Sequence, residues 1–147
     1  MWLERRWGTT EDYVLHIGMN PSYAGADSDD LTVRKDQEFT RRMGLSRMIK
    51  CNVGTYISTD PGGLSHHGIV VSHPDNLAVI RDIAEKASRI VVATGDVPDI
   101  LKSHARAVFQ GLKSRGHKME CFGLTASHWP KHSSRLSYAT PLVEFVW

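Results

Sequence analysis

Tyr13-Val14-Leu15-His16-Ile17, running straight into Gly18-Met19-Asn20-Pro21-Ser22, decides how the chain is read. The first five residues are an apolar run rich in β-formers, and the next five break it with Gly, Asn and Pro. That pattern is a strand feeding a loop. In an open α/β sheet, ligands bind in the crevice beyond the carboxyl ends of the strands. Asn20 is therefore the first candidate for a functional side chain.

Working outward, Met48 to Val53 reads as a second strand, and between the two Thr32 caps a helix to about Met43, ended by Gly44. Lys35 in place of an acid denies that helix a reciprocal capping box. Pro74 and Asp75 open a second helix with Leu77, Ile80, Ala84 and Ala87 on one face. Arg89 to Thr94 is a buried strand. Pro98 starts a third helix with a Leu101, Ala105, Val108 and Leu112 stripe, ended by Gly116. Lys118 to Leu124 is the fourth strand. Met1 to Trp7 fits an edge strand, and the apolar tail Tyr138 to Trp147 packs back on the body. Strand and helix alternate, which demands right-handed crossovers and a parallel sheet covered on both faces. The expected fold is an α/β three-layer α/β/α sandwich on a four-stranded parallel sheet, one domain over residues 1–147. Its strand ends put Gly18 to Leu31, Gly54 to His73, Gly95-Asp96 and Thr125 to Arg135 on one edge. Gly54 to His73 is long for a connection and is a candidate lid.

With 41% hydrophobic and 23% charged residues in 147, the chain has the composition of an ordinary soluble protein, long enough to bury roughly two-thirds of its unfolded surface. Cys51 and Cys121 lack paired spacing and sit in apolar runs, as reduced core thiols of a cytoplasmic protein do. No apolar stretch approaches a membrane span of roughly 20 residues, and the start lacks a signal-peptide core. The net charge of +2 permits a nucleic-acid partner without requiring one. Oligomeric state is open.

Gly18 to Ser22 has neither P-loop nor dinucleotide-binding spacing. Asn20 either bonds its own backbone in a turn or presents a neutral carboxamide that orients a water or reads a base edge. Asn52 closes the second strand where a purely structural sheet favours a β-branched or aromatic residue; the alternative is a capped turn. Phe39 either fills the core or stacks on a planar ligand. His66, His67, His73, His128 and His132 have no metal-ligand spacing, so neither metal nor cofactor is expected. His128 to Leu136 mixes donors, cations and apolar wedges, as a loop on a nucleic-acid backbone does, and a solvated surface loop is the competing view.

Asn20-Pro21-Ser22, then Asp29-Asp30-Leu31-Thr32-Val33-Arg34, Asn52, Thr59-Asp60-Pro61 and the Pro130-x-His132 loop resemble, nearly end to end, the prokaryotic and phage domain of unknown function 1643. A more distant resemblance is to the uracil-DNA glycosylase superfamily. Gly18-Met19-Asn20-Pro21 is similar to the first motif of the mismatch-specific glycosylases, whose asparagine positions the attacking water. Asn52 falls where glycosylases place a base-reading asparagine. His132-Ser133-Ser134-Arg135-Leu136 is similar to their last motif, a histidine followed four residues on by a leucine wedge. Ser22 stands where mismatch glycosylases carry glycine, Ser133 where they carry proline, and Gly54-Thr55 departs from the bulkier pair of the unknown-function family.

The resemblance implies a uracil-DNA-glycosylase-like fold and an enzyme acting on a nucleobase in DNA or on a nucleotide, most concretely hydrolysing the N-glycosidic bond of a damaged or modified base. Asn20 and His132 would carry the chemistry. Ser22, Asp29, Asp30, Arg34, Phe39, Asn52 and Asp96 would line the substrate site, and Lys131, Ser133, Ser134, Arg135 and Leu136 would contact nucleic acid. The alternatives are a non-catalytic reader of a modified base or nucleotide, and a base-modifying enzyme in which Asp29 or Asp30 carries the reaction.

Overall fold

The computed structural model describes residues 2–21, 29–56 and 71–147. In chain order the strands and helices are β1 (Trp2–Arg6), β2 (Val14–Gly18), α1 (Leu31–Arg42), β3 (Arg47–Asn52), α2 (Asn76–Ala84), β4 (Arg89–Val92), α3 (Asp99–Ser114), β5 (Met119–Cys121) and β6 (Val143–Phe145). The apolar run at Tyr13 to Ile17 becomes β2, buried at every position. Only a strand covered on both faces reads this way.

The strands form one six-stranded sheet in the order β1-β3-β2-β4-β5-β6. The pairs β3·β2, β2·β4 and β4·β5 are parallel, while β1 runs antiparallel to β3 and β6 antiparallel to β5. The sheet is thus mixed and six-stranded rather than parallel and four-stranded. The four expected strands make its centre, and the two ends of the described chain add a strand to each margin. β6 has only three residues, too few for alternation to register in sequence.

Side-chain alternation sorts the core. Leu15, Ile17, Ile49, Cys51, Ile90 and Val92 face α2 and α3, joining Ile80, Ala84, Leu101 and Phe109. Val14, Val91, Ala93 and Phe122 face α1 and meet Phe39. Full burial of a large apolar side chain such as Phe109 or Leu112 contributes about 1.5–3 kcal/mol. Helices therefore cover both faces of the sheet.

The helix ends differ from expectation by a residue or two. Asp30, not Thr32, caps α1, its side chain accepting from Val33 N at 2.8 Å. Pro74 lies just ahead of α2, whose cap position is Asp75. No helix among the described residues is long and apolar enough to cross a membrane.

Candidate functional site

The parallel pairing of β2 and β3 does not stop at the strand ends. Val53 N donates to Gly18 O at 3.0 Å and Gly54 N to Met19 O at 2.7 Å. The two loops therefore leave the sheet side by side, and this brings Asn20 to the same edge as Asn52. Asn20 is half-buried, its amide nitrogen 3.5 Å from Pro21 O. Asn76 of α2 holds the end of β3 by donating to the main-chain carbonyls of Asn52 (2.9 Å) and Val53 (3.1 Å). The Asn52 side-chain oxygen is buried with no hydrogen-bond partner among the described residues. It lies over Gly18, where a Cβ would come within 2.5 Å of it. Leaving such an acceptor unmatched costs roughly 1–3 kcal/mol.

The next strand end brings in the last loop. Gly95 has φ +67°, which glycine adopts without steric cost, and its N donates to Pro130 O at 2.8 Å. A Cβ there would lie 3.3 Å from that of His132. Asp96 is exposed and accepts from Thr125 Oγ1 at 2.5 Å. The loop folds back through Thr125 N to Trp129 O (2.7 Å) and Lys131 N to Gly123 O (2.9 Å). Trp129 anchors it against Phe109 and Trp147, with ring centroids 6.4 and 5.9 Å away.

His132 caps the one-turn helix Ser133–Arg135. Its Nδ1 accepts from Ser134 N at 3.3 Å and faces Ser134 Oγ at 2.8 Å. An accepting Nδ1 assigns the proton of the neutral ring to Nε2. Burial pushes the imidazole below 6.5, Lys50 and Arg135 push the same way, and Asp36 and Asp30 oppose. His132 lines a cavity of about 420 Å³, together with Gly95, Thr125, Ser134 and Leu136, and with Lys131 and Arg135. This ring is a neutral donor at the edge of a cavity.

Beneath the edge is a polar cluster that sequence reading missed. Asp36 of α1 is wholly buried, and its carboxylate takes the Lys50 ammonium on one oxygen and Ser133 Oγ at 2.6 Å on the other. His16 of β2 lies on the same side, with Nδ1 3.8 Å from Asp36. Thr40 Oγ1 donates to Asp36 O at 2.8 Å, so it accepts from His16 Nε2, also at 2.8 Å. Burial drives the His16 pKa from 6.5 to about 4, against the pull of Asp36 and with Lys50 adding to the fall. Burial alone would raise Asp36, but Lys50 and His16 outweigh it and hold the carboxyl below its ordinary value. The signals were a lysine in mid-strand and an acid on the stripe Val33, Asp36, Phe39 and Thr40, residue types almost never buried unpaired.

The other candidates are placed as follows. Asp29 pairs with Arg5 of β1 at 2.7 Å and accepts from Gln37 at 2.5 Å. Asp30 serves the helix terminus, and Arg34 is exposed on α1. Phe39, a candidate stacking ring, is instead enclosed by Phe122 and Tyr138, at centroid distances of 4.4 and 5.3 Å, and is 3% exposed. It occupies an inward position of α1, where the sheet face covers it. Leu136 is half-buried against that cluster, with its carbonyl accepting from Lys35 at 2.7 Å. Lys131 and Arg135 are exposed, and Ser133 faces inward to Asp36. Ser22 and most of the candidate lid, including His66, His67 and Thr59-Asp60-Pro61, lie outside the described residues. No group of three or more His, Cys, Asp or Glu able to hold a metal occurs among the described residues.

The molecule is thus an α/β protein whose polar side chains collect at the carboxyl edge of its central parallel strands. The chain belongs to the family described as protein of unknown function (DUF1643), whose model matches residues 1–133. No curated protein and no solved structure matches it.

Proposed function

We propose that the carboxyl-edge site belongs to a nucleobase-acting hydrolase of uracil-DNA-glycosylase-like fold, which cleaves the N-glycosidic bond of a damaged or modified base in DNA. The observation that carries this reading is the His132 ring, fixed through Nδ1 with Nε2 as donor, at a cavity on the carboxyl edge of the sheet; Asn20 and Asn52 belong to the same edge and do not line that cavity. Bond cleavage leaves negative charge on the departing base. A preorganised neutral donor in a partly dehydrated site stabilises that charge as it develops. Asn20 orients water toward the sugar carbon, and the unmatched Asn52 oxygen accepts from the edge of a flipped base. Lys131 and Arg135 meet the phosphates.

A second reading, a non-catalytic reader of modified bases, is favoured by the state of the acids. Asp29, Asp30, Asp36 and Asp96 are engaged by Arg5, the start of α1, Lys50 and Thr125 respectively, so none stands ready as general base. The same engagement weighs against base modification by Asp29 or Asp30. The test is mass spectrometry of what is released from DNA carrying several modified bases. Free base released by the parent protein and not by His132→Ala supports hydrolysis; tight retention without release supports the reader. Asn20→Ala should slow the chemical step and spare binding, whereas Asn52→Ala should weaken binding and discrimination. Excision by Asn20→Ala as fast as by the parent would refute the water-positioning role.

A further inference from the structure

Sinking Asp36, Lys50 and His16 into the α1 face of the sheet is expensive. Asp36 is 0% exposed, His16 1%, and the Lys50 side chain 11%. A well-packed apolar set at such a place is often as stable as a buried ion pair, or more so. Stability alone therefore does not account for the cluster, and its geometry indicates another purpose. One carboxylate oxygen of Asp36 holds Lys50 in β3; the other accepts from Ser133, the residue after His132. Upstream, the His132 segment is held by Gly95 N on Pro130 O and by Lys131 N on Gly123 O; downstream, Lys35 holds Leu136 O. Asp36 supplies the hold between these points.

We propose that Asp36 is a positioning residue for the site: acting through Ser133 and anchored on Lys50, it locks the turn that carries His132 to the floor of the sheet, so that the imidazole keeps Nδ1 on Ser134 and presents Nε2 to the cavity. The catalytic use of that ring rests on the hydrolase reading; the positioning does not. Ser133 makes this hold in a wholly buried place, so its hydroxyl is not a surface contact to nucleic acid. The charged groups around His132 are Lys50 from β3, Asp36 from α1, Asp30 at the start of α1, and Arg135 on its own turn. The Asp36–Lys50 pair sets opposite charges beneath the ring, and burial keeps the ring neutral.

The experiment is ¹⁵N NMR of the histidine rings in the parent and in Ser133→Ala, with single-turnover base release measured alongside. In the parent, His132 gives the distinct nitrogen shifts of one Nε2–H tautomer. In Ser133→Ala those shifts move toward an average and the ring titrates closer to 6.5. Base release falls by about 10- to 100-fold, the scale of an ångström-sized misplacement, with substrate affinity retained. Should Ser133→Ala be too unstable for spectra, the charge-balanced pair Asp36→Leu with Lys50→Met removes the anchor without a lone buried ion. Unchanged His132 shifts and titration in both variants overturn the proposal. If the shifts respond but the parent releases no base, the hydrolase reading falls and the positioning role stands.

Discussion

His16 makes folding stability depend on pH in a way that can be worked out in advance. The ring is 1% exposed, and burial takes its pKa from 6.5 to about 4. At about 1.4 kcal/mol per tenfold change in proton affinity, the difference corresponds to roughly 3 kcal/mol. The folded value is the lower one, so the unfolded chain takes up the proton first as pH falls. His16 imposes no penalty above 6.5; the penalty grows below that and is complete near pH 4. About 2 kcal/mol of it falls between roughly pH 7 and 5, before most carboxylates titrate. Urea unfolding across that range, in the parent and in His16→Gln, isolates this part, because the similarly depressed His132 is present in both. The parent should lose about 2 kcal/mol more than the variant over the interval. Parallel profiles would refute the reasoning, since they would mean that His16 is protonated in the folded protein and satisfies Asp36 as a cation.

Gly18→Ala sets a Cβ 2.5 Å from the Asn52 side-chain oxygen; the carboxamide swings aside, so thermal denaturation should show a loss of about 1–3 kcal/mol and, on the proposed function, discrimination between bases should collapse. Retained discrimination would dissociate Asn52 from recognition. Burial pushes the Cys51 thiol up to about 12 and raises Cys121 as well, so neither should react with an aromatic disulfide reagent until urea unfolds the chain; fast labelling of the native protein would contradict their packing. If Lys131 and Arg135 meet DNA phosphates, affinity should fall with rising salt, and replacing either by Ala should reduce the slope by about one ion; a flat salt dependence would indicate a small uncharged ligand.

The arrangement of the central strands was legible because β2 and β4 are continuous apolar runs punctuated by Gly18-Met19-Asn20 and Gly95-Asp96. That punctuation also placed Asn20, Asn52 and Asp96 at one edge, since parallel strands end together. Local sequence gave no means of choosing pairing partners. β1 lies beside β3 rather than β2, a choice made by the whole sheet. The Asp36 cluster was illegible for a related reason. Lys50 in mid-strand and Asp36 on the α1 stripe each signal a need for a partner, but nothing local says which partner, because His16, Asp36, Lys50 and Ser133 meet only after a parallel crossover and the return of the chain beyond β5. Asp29 and Asp30 were conspicuous as a pair, yet one ties down β1 and the other caps the start of α1. Local conspicuousness reflected ion pairing and capping there.

Because β1 runs against β3, the chain approaches the sheet from the functional edge: Trp2, 53% exposed, is paired with Cys51, one residue before Asn52. β6 runs against β5 and carries the chain the other way, to Phe145 beside Met119 and on to Trp147, whose carbonyl receives Lys113 near the end of α3. An affinity tag or surface tether joined ahead of Trp2 therefore emerges at the carboxyl edge of the sheet, beside the end of β3 that carries Asn52. One joined after Trp147 leaves from the opposite end of the strands. For immobilised assays or pull-downs with DNA, the carboxyl-terminal attachment keeps the approach to Asn52 and His132 open.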